Sequence, residues 1–189
     1  DEATAILAGD ALLTMAFQVL ADPATHSDPS VRSDLVLALS KAAGAHGMVG
    51  GQMMDLWAED NELNVAQITR LQRMKTGELI AVSAEAGAIL GKASEDARAA
   101  LHAYAHDIGL AFQIADDLLD VEGDAATVGK ATGKDAGAGK ATFVSLLGIE
   151  KARQQADMLS EQAAAHLEIF GEKGDLLKQM ARFIVERRT

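Results

Sequence analysis

The run Ile108-Gly109-Leu110-Ala111-Phe112-Gln113-Ile114-Ala115-Asp116-Asp117-Leu118-Leu119-Asp120-Val121 carries apolar residues all the way round a helix rather than along one side. A helix of that kind is expected to be buried. At ~100° per residue, Gln113, Asp116, Asp117 and Asp120 fall within an arc of roughly 100°. One narrow stripe therefore holds every strongly polar side chain of the run, and three carboxylates are expected to converge inside the protein. Buried carboxylates repel one another and need a counter-charge. Oxygen donors without cysteine or histidine suit Mg²⁺, which keeps several waters and bridges one or two carboxylates to substrate phosphates. The competing reading is an exposed acidic face, the ordinary fate of such clusters, but it leaves this helix no obvious side to bury.

On either side of this run the periodicity stays helical. Stretches are predicted over about 3–21, 31–57, 64–90, 94–121, 142–170 and 175–188. Asp22-Pro23 ends the first, Asn64 caps the third, and Glu95 and Asp96 suit the positive end of the fourth. The glycines from Gly44 to Gly51 sit inside the second, where close helix packing is their expected role. Two prolines, abundant alanine and 4% aromatic residues favour helices over sheets. The fold class is all-α, and 189 residues with 49% hydrophobic content suit a single domain with one core.

The net charge of -11 argues against nucleic-acid binding. With no cysteine there is no disulfide framework and no thiolate metal site. No uncharged apolar run of about 18 residues and no signal-peptide pattern is present, so a cytoplasmic protein without stable membrane insertion is expected. The chain opens at Asp1 directly into a helical pattern and reads as part of a longer protein.

Residues 122–140 hold five glycines with Lys130, Lys134 and Lys140, a composition that buries no core stripe and predicts a flexible, locally basic loop. Gly-Lys pairs can wrap a phosphate with side chains and amides. None follows the glycine spacing of a P-loop, which excludes that class of nucleotide triphosphatase. Lys75 lies in an apolar stretch, where it must reach solvent or meet an anion. His102 and His106 are four apart on one predicted helix and lack a third zinc ligand.

Six strings together carry a resemblance: Ala5-Ile6-Leu7-Ala8-Gly9-Asp10-Ala11-Leu12, Gly50-Gly51-Gln52-Met53-Met54-Asp55, Lys75-Thr76-Gly77, Phe112 to Asp120, Gly129-Lys130 and Gly139-Lys140. Each is a poor identifier alone. In this order and spacing they resemble the short-chain trans-prenyl diphosphate synthases, in the farnesyl diphosphate synthase branch.

That resemblance implies an isoprenoid synthase fold, with antiparallel helices around a deep cavity, usually as a homodimer. Two aspartate-rich motifs would face each other across a magnesium cluster, with Asp116, Asp117 and Asp120 as the second. Lys75 and Lys130 would hold the allylic diphosphate, and Thr76 and Gln113 would face the developing allylic cation. Lys140 would close the 122–140 loop over the phosphates, while Gln52 and Asp55 would support the site from behind. Arg187 and Arg188 resemble a basic tail that approaches isopentenyl diphosphate in relatives. The implied reaction joins isopentenyl diphosphate to an allylic diphosphate to give farnesyl diphosphate, with geranylgeranyl diphosphate as the alternative product.

The family's first aspartate-rich motif and paired arginines lie upstream of the segment matching the present start, so these residues alone are expected to be inactive. A non-catalytic helical subunit of a heteromeric synthase is a second reading, but such subunits degrade the acidic motif that is intact here. A terpene cyclase relative is a third, and the Lys-Thr-Gly and Gly-Lys pattern is closer to the chain-elongating branch.

Overall fold

A computed structural model describes residues 1–127 and 142–187, with backbone only for 123–127; among these residues every regular element is helical. In chain order they are α1 (Glu2–Ala21), α2 (Pro29–Ala43), α3 (Met48–Ala58), α4 (Val65–Gln72), a π turn (Arg73–Gly77), α5 (Glu78–Leu90), α6 (Glu95–Thr127), α7 (Phe143–Leu147), α8 (Ile149–His166), a 3-10 segment (Glu168–Gly174) and α9 (Asp175–Glu186).

Helix α6 is the axis of the fold, packing against α5, α8, α9 and the π turn. Its contact with α8 rests on small residues. Ala105 and Ala111 of α6 and Ala152, Ala156 and Ala163 of α8 are at most 2% exposed, and alanine lets helix axes approach closely. Ile68, Leu71, Ile108, Ile114, Leu118, Leu159 and Leu167 fill the same core. A smaller cluster joins α2 to α5 through Val31, Leu35, Ala38 and Ile89. Deleting a buried Leu or Ile side chain down to alanine costs about 2–5 kcal/mol.

Three expected helices are interrupted. The 31–57 stretch breaks between Gly44 and Gly47, because a Cβ on Gly47 would fall 2.0 Å from the Ala42 carbonyl oxygen. These two glycines make a tight turn rather than a helix contact; Gly51 does sit at a close approach, to Lys75. The 64–90 stretch keeps its path but widens into the π turn. The 142–170 stretch breaks at Gly148, whose φ of 81° suits glycine, and tightens to a 3-10 turn after Leu167. The expected 122–140 loop begins as helix, since α6 runs on to Thr127; Lys130, Lys134 and Lys140 lie outside the described residues.

Helix α1 has no buried residue, and Ile6, Leu7 and Leu12 are each about 60% exposed. By length and composition alone this 20-residue helix could cross a membrane, which the sequence had not suggested because Asp10 sits at its middle. A central Asp opposes insertion by about 2.5–3.5 kcal/mol.

Behind the π turn, Arg73, His102 and His106 form a cluster. Arg73 Nη2 is 3.3 Å from His106 Nε2, which is 3.1 Å from His102 Nε2. An arginine can only donate, so His106 Nε2 is the unprotonated acceptor. Burial first, then the charges of Arg73 and His102, push the His106 pKa from 6.5 down to about 4. An unfolded chain gains a proton at this ring below pH 6.5 while the folded one does not, so stability falls as pH drops from 6.5 to 4 and is untouched by this group above that window. His106→Gln should therefore lose about 1–2 kcal/mol less than the parent over that interval, after allowing for partial solvent screening. Urea denaturation at pH 7.5 and about pH 4.5 measures this, and parallel losses in both proteins would refute it.

Candidate active site

A cleft of about 220 Å³ opens between α6, the π turn, α3 and the start of α7. Asp116, Asp117, Asp120 and Gln113 line it from α6, Lys75 from the π turn and Asp55 from α3, over an apolar floor that includes Leu63, Ile68 and Leu71. The α6 stripe therefore faces one space.

The π turn sets the positions of Lys75 and Thr76. One widened turn lets two consecutive residues reach different helices. Lys75 Nζ donates to Asp55 Oδ2 at 2.7 Å, with the Asp55 side chain only 14% exposed. Thr76 Oγ1 donates to Gln113 Oε1 at 2.9 Å. Gly51 permits the first contact, since a Cβ there would lie 2.3 Å from the Lys75 backbone nitrogen. Gly109 permits the second approach, with a hypothetical Cβ 3.1 Å from Gly77 Cα.

Partners can be named for Asp117 and Asp116 of the α6 stripe. Asp117 Oδ2 accepts from the Phe143 backbone N–H at 2.9 Å, so it satisfies one of the amides left without a helical partner at the start of α7. Asp116 Oδ1 lies 3.0 Å from Arg187 Nη2, and the Arg187 guanidinium stacks 4.3 Å above the Phe112 ring. Near the far end of the stripe, Glu122 pairs with Arg153.

The expectation of buried carboxylates is corrected. Asp116 and Asp120 are exposed and Asp117 is half-buried, because the stripe forms the wall of an open cleft. Of the two residues expected to support the site from behind, Asp55 lines the cleft, while Gln52 is exposed and is not among the lining residues. Gly51 faces the π turn, so Asp55 four residues on shares its face while Gln52 is rotated away by ~100°. Two contacts were missed from sequence. In the sequence Arg187 reads as a basic tail residue, and its seat between Phe112 and Asp116 depends on α9 lying beside α6. The Asp117 to Phe143 bond had a weak signal in Thr142, a good cap before an apolar run.

Among the described residues, no group of three or more acids or imidazoles closes on a point that could hold a metal ion by itself; His102 and His106 meet without a third ligand. The donor set nevertheless fits magnesium in its shared mode. It is all oxygen, it lies on an accessible wall, and it leaves room for waters and a phosphate.

The polyprenyl synthetase family model matches residues 1–180. The chain is 43% identical to farnesyl diphosphate synthase of Escherichia coli over 98% of its own length and 64% of that protein. It is 42% identical to the Micrococcus luteus enzyme of the same name, over 99% of this chain and 64% of that one. Among solved structures, an FPP/GFPP synthase from Zymomonas mobilis superposes with a TM-score of 0.87 at 52% identity, covering 97% of this chain and 61% of that one. A Helicobacter pylori geranyltransferase complexed with magnesium and isoprenyl diphosphate gives 0.80 at 33% identity, over 98% and 60%. The chain thus spans a little under two thirds of the length of these relatives. An all-α scaffold with an acid-walled cleft and a match over nearly all of its residues places this chain in the polyprenyl synthetase family.

Proposed function

We propose that the cleft binds an allylic diphosphate through Mg²⁺ and serves a prenyltransferase reaction of the farnesyl diphosphate synthase type, in which isopentenyl diphosphate is the second substrate. The observation that carries this reading is the meeting of Asp116, Asp117, Asp120, Lys75 and Gln113 in one cleft. A homodimer in the cytoplasm belongs to the same proposal, and the uncovered apolar residues of α1 support the dimer. The names of the relatives favour farnesyl over geranylgeranyl diphosphate as product.

Magnesium, when bound, supplies positive charge that neutralises the departing diphosphate. Asp116, Asp117 and Asp120 would hold it. Lys75 donates hydrogen bonds to the leaving phosphate oxygens, and Asp55 holds its ammonium in place through the 2.7 Å bond. Thr76 directs its proton at Gln113, so the free lone pairs of both oxygens are available to the allylic cation without a hydroxyl proton aimed at it. The apolar floor limits the water that would capture the cation. Once the allylic C–O bond to the diphosphate has broken, attack by the isopentenyl double bond forms the new C–C bond, and the released diphosphate accepts the proton whose loss restores an alkene. Lys130 and Lys140 belong to this proposal as further phosphate ligands.

Calorimetric titration with inorganic pyrophosphate tests the reading. Binding is expected only with Mg²⁺, weakened about tenfold by Lys75→Gln, the scale of one lost charge-assisted hydrogen bond. Magnesium-independent binding, or binding indifferent to Lys75, would overturn it.

A further inference from the structure

The contact of Arg187 with Asp116 is not a surface ion pair of the ordinary kind. The Arg187 side chain is 17% exposed, clasped between the Asp116 carboxylate and the Phe112 ring, while its partner Asp116 is 51% exposed on the cleft wall. Its seat is imperfect as well. One Nη reaches the carboxylate, and the Nε is buried with no hydrogen-bond partner among the described residues. A guanidinium that satisfied all its donors would be a fixed structural element, whereas one left with an orphaned donor is held weakly enough to be exchanged.

We propose that Arg187 is a built-in competitor of the metal: it occupies Asp116 as resident counter-charge while the cleft lacks Mg²⁺, and must release that carboxylate for Mg²⁺ and diphosphate to bind. This rests on the reading of the acidic stripe as a magnesium-diphosphate site. A cation cannot serve Asp116 at full strength while a guanidinium sits 3.0 Å from Oδ1. Each equilibrium therefore opposes the other by the same factor. Because Arg187 directly follows α9, release also frees the C-terminal end of that helix from α6, so metal binding and the docking of this end are linked.

The factor follows from the two contacts given up, a partly exposed ion pair and a cation-π contact, which together correspond to about threefold to tenfold in affinity. The test is calorimetric titration of the full chain with inorganic pyrophosphate at one fixed, sub-saturating Mg²⁺ concentration, comparing the parent, Arg187→Gln, Arg187→Lys and Asp120→Asn. Arg187→Gln is expected to bind about threefold to tenfold more tightly, and Arg187→Lys to fall between it and the parent, since a lysine keeps the charge but not the planar stacking. Unchanged or weaker binding by Arg187→Gln, alongside loss of binding in Asp120→Asn, overturns the competitor role and leaves the site reading intact. Binding unaffected by Asp120→Asn, or absent in the parent, overturns the site reading itself. A thermal-shift series completes the comparison: Mg²⁺ with pyrophosphate should raise the Tm of Arg187→Gln more than that of the parent, and equal shifts would count against the proposal.

Discussion

Substituting Asp117 with alanine should abolish magnesium-dependent pyrophosphate binding and, in a chain competent for turnover, lower kcat by about 10²–10³-fold or more, the range seen when one preorganised electrostatic group is lost. Asp117 is singled out because it lies in the middle of the α6 stripe and also anchors α7 through the Phe143 N–H. Alanine therefore has a structural effect too, since an orphaned, half-buried amide costs about 1–3 kcal/mol. Asp117→Asn separates the two roles. Its amide oxygen can still accept from Phe143, so it should unfold at nearly the parent urea concentration while binding remains lost. Binding retained in both variants would refute the assignment of the stripe to a metal-diphosphate site.

Gly51→Ala should be strongly destabilising and should act on the cleft as well. The new Cβ would lie 2.3 Å from Lys75 N, 2.6 Å from Lys75 Cα and 2.8 Å from Met74 C. All three are backbone atoms, so no rotamer change relieves the clash and α3 must move off the π turn. Overpacking of this kind costs about 1–3 kcal/mol. The displacement also pulls Asp55 from Lys75, so pyrophosphate binding should weaken with stability. Gly87→Ala, in α5, is the control: a Cβ there meets nothing within 4 Å, and relief of glycine's backbone entropy should stabilise the protein by about 0.4–1 kcal/mol. Urea denaturation of both variants measures the contrast, and equal midpoints would refute the close approach.

The helices themselves were legible because apolar spacing at the helical period reports a face to be covered, a face that in α1 has no cover among the described residues. The interruptions were not. A glycine that breaks a helix and a glycine that lets another backbone approach leave the same letter, and only the Ala42 carbonyl beside Gly47 and the Lys75 backbone beside Gly51 tell them apart. Lys75-Thr76-Gly77 is as compatible with an α-turn as with a π turn, so the divergence of Lys75 and Thr76 toward different helices could not be anticipated. The acidic stripe on α6 was readable from its arc. Its exposure was not, since burial depends on what stands opposite, which no single-helix pattern encodes. Gln52 and Asp55 differ in phase, since Gly51 marks the face of α3 turned to the π turn and Asp55 shares it while Gln52 is exposed.

The π turn has one more consequence. Two neighbouring residues tether two separate helices, Lys75 to α3 and Thr76 to α6, each through a single short bond. The turn thus works like a caliper, its jaws set by two side-chain lengths. Any guest that widened the gap would have to strain one tether or the other, and a shorter side chain at either end would narrow it by a fixed step.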